Sequence, residues 1–327
     1  MKIGKVQESV LKRSILNQIH TRREEILLGA SVGEDCAAVA VAEDEMLVMS
    51  TDPITGTVKD IGSLAIQITV NDLASAGAEP LGVMLTVLLP ENFSEQKLRY
   101  LMAQAEAACA AVHVQIMGGH TEVTKAVCQP LVSVAGIGKA KKGRLVSTAG
   151  ARPGMDIIIT KWAGIEGTAI IAKEKEAELL EHFPQRFIDQ AKRFDQMLSV
   201  LAEAQIAVRY HVSAMHDVTE GGIFGALWEM AEASGVGLEI DLKKIPLRQE
   251  TIEVCEYFGI NPYELISSGS MLMAAADGNT IVRELEKQGI HAVVVGKATQ
   301  GNDRILYTAQ ERRFLEPPKS DALYQVV

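Results

Sequence analysis

Three aspartates in the first half of the chain border or interrupt apolar runs. Asp35 precedes such a run, Asp52 follows residues 46–51, and Asp72 lies within residues 66–74. An ionised carboxylate that leaves water is costly unless it is paired, hydrogen-bonded or bound to a metal. Carboxylate oxygens are ligands that Mg²⁺ prefers, often together with phosphate oxygens. The three acids therefore predict a shared cation and phosphate chemistry.

A glycine pair is the second candidate for chemistry. Gly118 and Gly119 precede His120 and Thr121, directly after a strand-like run. Glycine lets backbone N–H groups approach an anion closely, so these residues are expected to form a loop on the phosphate side of a site. The pair is also consistent with a tight turn, and His120 with an imidazole that hydrogen-bonds to the backbone.

The third candidate leads into a helix of the second half. Asp217 and Glu220 precede Gly221 and Gly222, and a helix-like run to Ser234 follows. Glycines at a helix N-terminus present N–H groups to an anion. The two acids could instead cap the helix, a role worth about 1 kcal/mol that needs no ligand.

The elements that must position the first two acids follow from local pattern. A strand over 45–50 is expected to end near Asp52, because Pro53 cannot donate to a ladder. Residues 60–78 predict a helix that is apolar nearly all round, so Asp72 is expected on a buried helix, where an acid has few structural explanations. Asp35 could be an Asx-turn residue.

Alternating and helical periodicities predict the remaining elements. Expected strands are 81–89, 114–117, 131–137, 156–160, 237–241, 270–275, 292–295 and 304–308; expected helices are Ser94-capped 95–112, 168–182, 185–204, 249–257 and 279–288. A cluster of turn formers at 147–154 predicts a junction between a domain of residues 1–148 and one of residues 149–327. The fold class is α+β.

Composition limits the classes of function. The 327 residues are 47% hydrophobic and 23% charged, with a net charge of −10, which disfavours a nucleic-acid surface. The four cysteines are scattered without metal-ligand spacing, and no apolar stretch reaches the roughly twenty residues that span a bilayer. These features predict reduced thiols, a cytoplasmic location and no membrane partner.

Several segments, taken in order, resemble one superfamily. They are Gly33-Glu-Asp35, Ser50-Thr-Asp52, Val70-Asn-Asp-Leu-Ala-Ser-Ala-Gly-Ala-Glu-Pro80, Gly118-Gly-His-Thr121 and His216-Asp-Val-Thr-Glu-Gly-Gly222. The chain is similar along its length to aminoimidazole ribonucleotide synthetase (PurM), thiamine-monophosphate kinase, selenophosphate synthetase and the hydrogenase maturation protein HypE, with the HypE branch closest.

The resemblance implies a two-domain PurM-like fold. The N-terminal domain binds ATP and forms a homodimer through its sheet or a barrel, and the C-terminal domain, with a mixed sheet, closes the ATP and substrate cleft. Magnesium is expected at Asp35, Asp52 and Asp72. Nucleotide contacts carry over to Gly33, Asp35, Asp52, Asn71, Asp72, Gly118, Gly119, Thr121, Gly221 and Gly222, and catalytic roles to Asp217, Glu220 and His120.

The implied activity is phosphoryl transfer from Mg-ATP to an oxygen of a small or carrier-bound substrate, with an accessory maturation protein as a further partner. The sequence ends Asp321-Ala-Leu-Tyr-Gln-Val-Val327 without the terminal Cys of HypE, and His120 stands where many members have an acid. Alternatives are a small-molecule kinase of the thiamine-monophosphate type and a non-catalytic nucleotide-binding dimeric accessory protein.

Overall fold

Two compact units make up the chain, Met1–Leu145 and Val146–Val327. The computed structural model describes residues 1, 3–34, 36–54, 60–317 and 320–327. The turn-forming segment 147–154 lies at the beginning of the second unit. Helices and mixed sheets occur in both units, so the predicted α+β class is confirmed.

The first unit consists of a five-stranded sheet with helices packed against it and a separate two-stranded ribbon. Its elements are β1 (Gly4–Lys5), α1 (Glu8–Val10), β2 (Ile26–Leu28), β3 (Ala38–Val39), β4 (Glu45–Ile54), α2 (Ile61–Ser75), β5 (Glu79–Leu89), α3 (Glu95–Ala111), β6 (Gln115–Val123) and β7 (Leu131–Lys141). The sheet order is β1-β6-β5-β7-β4, and β2 pairs with β3. Strands β5 and β6 are parallel and connected through α3, whereas the other pairs are antiparallel.

Helix α2 packs directly on the sheet because the facing strand has a glycine at the point of contact. A Cβ on Gly136 would lie 2.4 Å from Cγ2 of Thr69, a buried residue of α2. The prediction of a buried helix here is confirmed, since most of α2, including Ile66 and Leu73, is excluded from solvent. Ser94 caps α3 by accepting a hydrogen bond from the Lys97 N–H, as predicted.

Two predicted boundaries in this unit are wrong. Strand β4 does not stop before Pro53 but continues to Ile54, because β4 is an edge strand in which a missing N–H can face solvent. Gly118–Glu122 is not a loop either. It continues β6, after a bulge that leaves Met117 without a directly opposite residue on β5.

The second unit has a seven-stranded sheet of order β14-β13-β10-β12-β8-β11-β9. Its elements are β8 (Asp156–Thr160), α4 (Ile165–Glu174), α5 (Glu176–Leu179), α6 (Gln185–Lys192), α7 (Leu201–Arg209), β9 (Ala214–Asp217), α8 (Gly222–Ser234), β10 (Gly237–Asp241), α9 (Gln249–Phe258), β11 (Met271–Ala275), α10 (Gly278–Lys287), β12 (Ala292–Thr299), β13 (Arg304–Tyr307) and β14 (Arg312–Phe314). Only the β10–β13 pair is parallel among its described pairs.

Three features of this unit differ from the prediction. The helices predicted over 168–182 and 185–204 are replaced by the four shorter helices α4 to α7. Residues 214–217, for which no strand was predicted, form the edge strand β9 and pair with β11. Strand β14 was not predicted, and it adds to the opposite edge of the sheet.

No helix in the described parts of the chain is long and apolar enough to cross a membrane.

Candidate functional site

Two of the predicted magnesium ligands lie on the same side of the first unit's sheet. Side chains alternate along β4, so Ser50 and Asp52 point to the face that packs against α2. The hydroxyl of Ser50 donates a hydrogen bond to Oδ2 of Asp72 on α2. Asp52 stands two residues further along the same face, about 7 Å from Ser50 at the rise of a strand. Asp52 therefore shares one face of β4 with Ser50, the hydrogen-bond partner of Asp72.

The third predicted ligand, Asp35, lies outside the described residues. Among the residues that are described, no group of three or more His, Cys, Asp or Glu side chains is arranged to hold a metal ion. Asp52 and Asp72 are both half-buried, whereas Asn71, which precedes Asp72 on α2, is almost fully buried. The pair offers two carboxylates from which a cation site could be completed.

The glycine pair lies on the same sheet as Asp52. Asp52 is opposite Val134, Val134 is opposite Leu85, and Leu85 is opposite Gly119, so one transverse row crosses β4, β7, β5 and β6. At the usual spacing of strands the ends of this row are roughly 14 Å apart. Gly119 itself is required by the backbone, because its φ is +142° and a Cβ would lie 2.0 Å from the Leu85 carbonyl oxygen.

A small cavity of about 80 Å³, lined by polar and apolar side chains, brings the remaining nucleotide-contact candidates of this unit together. Gly33 and residues 118–121 contribute to its wall. Its apolar lining comes from β5, β6, α3 and the helical turns Leu11–Ile15 and Leu16–Gln18 with the residue that follows them. These side chains are Leu11, Ile15, Leu16, Ile19, Leu85, Val87, Met102 and Ile116. Thr121 is buried at 8% exposure, so its hydroxyl lies among these apolar side chains.

His120 differs from its neighbours on β6. Alternation along the strand puts the side chains of His120 and Glu122 on the face opposite to that of Thr121. The His120 Nε2 lies 3.1 Å from Oε2 of Glu122, and both side chains are accessible to solvent. The structure therefore pairs His120 with Glu122 and not with Asp52 or Asp72.

In the second unit, the predicted residues follow the end of β9. Asp217 is the last residue of that strand and is 7% exposed, whereas Glu220 is exposed in the following turn. Gly221 and Gly222 both have positive φ, +78° and +60°. A Cβ on Gly222 would lie 2.6 Å from the Tyr263 carbonyl oxygen, so glycine is needed there for packing of the backbone.

Three N–H groups at the beginning of α8 already have acceptors within the chain. The Gly221 N–H donates to Oδ2 of Asp321 at 2.7 Å, and the Gly222 N–H to the Thr219 carbonyl at 3.1 Å. The Phe224 N–H donates to the Tyr263 carbonyl at 3.0 Å. An anion that reached the Gly221 N–H would have to displace the carboxylate of Asp321.

Sequence reasoning did not select three acidic or phenolic groups that surround this turn. Glu166 on α4 is fully buried, and burial raises its pKa to about 7, although the Ser268 hydrogen bonds act in the opposite direction. Burial also raises the pKa of Asp321. The hydroxyl of Tyr324 donates to Oε1 of Glu220 at 2.6 Å, which raises the Tyr324 pKa to about 12. From the sequence, Asp321 before Ala-Leu-Tyr indicates the cap of a short helical turn. The sequence does not indicate that Asp321 contacts Gly221.

Comparison with known proteins decides the family. The AIR synthase related protein N-terminal domain matches residues 33–140, and the AIR synthase related protein C-terminal domain matches residues 152–308. The chain is 31% identical over 278 residues to the carbamoyl dehydratase HypE of Rhodobacter capsulatus, covering 83% of this chain and 78% of that protein. The protein belongs to the AIR synthase related family, on its HypE branch.

Other members of the AIR synthase related family match almost end to end. MJ0676 of Methanocaldococcus jannaschii, which carries the name of a hydrogenase expression/formation protein, is 29% identical over 99% of this chain and 97% of its own. The crystal structure of HypE in complex with ATP has a TM-score of 0.81 at 20% identity, covering 99% of this chain and 97% of that one. A HypE–HypF complex contains a chain with a TM-score of 0.72 at 22% identity, covering 83% of this chain and 90% of that one. The PurM-like fold expected from the sequence motifs is therefore confirmed.

Proposed function

We propose that this protein is an ATP-dependent enzyme that activates an oxygen of its substrate by phosphoryl transfer from Mg-ATP. The main observation behind this proposal is that both AIR synthase related domains match this chain and that HypE relatives align with most of it. A HypE of the same fold has been crystallised with ATP. The half-buried acids Asp52 and Asp72 supply the charge that such chemistry needs.

The residues of the first unit fit a magnesium nucleotide. Asp52 and Asp72 present hard oxygen donors from one face of the sheet, and Ser50 restrains one oxygen of Asp72 by its hydrogen bond. Asp35, close in sequence to Gly33, would complete the ligand set. Bound magnesium would neutralise phosphate charge as it develops during transfer.

The remaining groups of the chain would orient the reactants. Gly118 leaves room in the wall of the cavity beside Gly33, since a Cβ at Gly118 would contact only Cε of Met84 at 3.4 Å. In the first unit, Asn71, Gly119 and Thr121 would shape the nucleotide site, and His120 would be oriented by Glu122. In the second unit, Asp217 and Glu220 would orient the substrate, and Gly221 and Gly222 would set the backbone of the turn that carries Glu220.

A homodimer is part of the proposal. Leu47 and Met49 are 45% and 68% exposed on the face of the edge strand β4 that points away from α2. Large apolar side chains in a row on an edge strand favour pairing with another strand. We assign a second copy of this chain to that face.

A maturation protein partner is proposed by analogy with the HypE–HypF complex. The four free cysteines favour a reducing compartment such as the cytoplasm.

Calorimetric titration of the purified protein with ATP, with and without magnesium, tests the proposal, together with the release of ADP. Magnesium-dependent binding with ADP release is the expected result. A phosphorylated product that accumulates would identify a small-molecule kinase, and tight binding with no product would identify an accessory protein. The absence of nucleotide binding would overturn the proposal and assign the acids a structural role.

A further inference from the structure

The C-terminal segment of residues 320–327 fixes the turn that precedes α8. Asp321 is 3% exposed, and its carboxylate accepts hydrogen bonds from three backbone N–H groups. The donors are Gly221 at 2.7 Å, Ile266 at 3.2 Å and Leu323 at 2.8 Å. Hydrogen bonds to a carboxylate are stronger than neutral ones, so this acid connects three separate segments of the second unit.

Apolar burial holds the same segment in place. Ala322 and Leu323 are buried in a core cluster with residues of α4, α6 and α9, including Ile171, Ile188 and Val254. The Ala322 N–H also donates to the Glu264 carbonyl at 3.2 Å. Release of the segment would expose these side chains and remove the hydrogen bonds of Asp321. The segment is therefore a fixed support and not a loosely attached tail.

This support carries Tyr324, whose hydroxyl donates to Oε1 of Glu220 at 2.6 Å. The Glu220–Gly221 pair is consequently fixed by two hydrogen bonds. The carboxylate of Glu220 is held by Tyr324, and the next residue along the chain, Gly221, is held by Asp321. A carboxylate on an exposed turn would otherwise sample several rotamers.

We propose that Tyr324 is a positioning residue for Glu220, and that Asp321 anchors the segment that carries it. This inference rests on the proposed function, because it assigns an orienting role to Glu220 in the ATP-dependent reaction. One carboxylate oxygen of Glu220 is engaged by Tyr324, and the other would be available to the substrate. Positioned carboxylates contribute to catalysis only while their orientation is maintained.

The kinetic test is a double-mutant cycle of Tyr324→Phe and Glu220→Gln. Tyr324→Phe removes only a hydroxyl from an exposed ring and is expected to lower kcat roughly tenfold with an unchanged KM for ATP. Because Tyr324 acts through Glu220, the double variant should be no slower than Glu220→Gln alone. Tyr257→Phe is the matched control, since that hydroxyl donates to Oε1 of Glu178 at 3.4 Å and makes no hydrogen bond to Glu220. Additive losses in the double variant, or an unchanged kcat in Tyr324→Phe, would overturn the inference.

A second readout does not depend on activity. Amide hydrogen exchange of residues 218–225 should become faster in Tyr324→Phe and in Asp321→Asn than in the wild type and in Tyr257→Phe. A wild type that neither binds nor hydrolyses ATP would refute the proposed function, whereas the exchange rates would still report on positioning. Exchange identical to that of the wild type in both variants would show that the segment does not order the turn.

Discussion

At the scale of single residues, Asp72 is the predicted magnesium ligand that accepts a hydrogen bond from the Ser50 hydroxyl. Asp72→Asn retains an acceptor oxygen but removes the charge. We expect magnesium-dependent ATP affinity to fall by roughly tenfold or more, since a charged hydrogen bond or ligand contributes about 1.5–3 kcal/mol. Calorimetric titration with and without magnesium measures this change. Asp44→Asn is the control, because Asp44 is exposed and paired with Lys141, and equal affinities in all three proteins would contradict the role of Asp72.

Glu166 makes the stability of the fold depend on pH. Burial raises its pKa from 4.5 to about 7, so the folded protein holds a proton that the unfolded chain releases between these pH values. The associated stability is fully present below pH 4.5 and is lost as pH rises through about 7. The loss amounts to roughly 3 kcal/mol by linkage.

Glu166→Gln should remove this dependence. The free energy of unfolding of the variant, relative to the wild type, should increase from pH 5 to pH 8 by up to about 3 kcal/mol. Urea unfolding of both proteins at several pH values measures the difference, and the amide retains an acceptor for the Ser268 N–H. A constant difference across this range would show that Glu166 does not titrate there.

At the scale of elements, the beginning of α8 depends on the backbone of the 263–265 segment. Gly222→Ala places a Cβ against carbonyl oxygens of Tyr263 and Leu265 at 2.6 and 2.7 Å, in addition to the cost of a positive φ. Gly235 ends the same helix with a φ of +64° and nothing within 4 Å of a Cβ. Gly235→Ala should therefore cost about 1–2 kcal/mol, and Gly222→Ala about 2 kcal/mol more.

Urea unfolding midpoints of the two variants make this comparison. Equal losses would mean that the 263–265 segment moves aside at little cost. If the glycines before α8 bind an anion, Gly222→Val should weaken nucleotide binding. The packing around Gly222 predicts that the same substitution also destabilises the second unit. Nucleotide affinity is therefore informative only after the folded fraction of that variant has been measured.

At the scale of the whole molecule, the exposed face of β4 predicts the oligomeric state. Met49→Lys introduces a charge on the face assigned to a second copy and should convert a dimer into monomers at micromolar concentration. Analytical sedimentation or light scattering measures the molar mass of the wild type and of each variant in solution. Leu180→Lys is the matched control, because Leu180 is 42% exposed in the second unit. A wild type that is monomeric, or a Met49→Lys variant that remains dimeric, would contradict the assignment.

Local pattern alone determined much of the architecture. The Ser94 cap, the buried helix that carries Asp72, and strands such as 156–160 and 237–241 follow from side-chain periodicity and capping chemistry within a few residues. The grouping of acids and glycines in order along the chain was sufficient to indicate the AIR synthase related family. These features need no knowledge of which segments meet in space.

Other features depended on the tertiary structure. Pro53 remains in a strand because β4 lies at the edge of its sheet, and Gly119 is required because of its positive φ and the Leu85 carbonyl that lies opposite. Asp321 and Gly221 are 100 residues apart, so no local pattern could show that a carboxylate of the chain itself accepts the hydrogen bond expected for a phosphate. Periodicity and capping report on neighbours in sequence, whereas the acceptor of a buried N–H is decided by whichever segment packs against it.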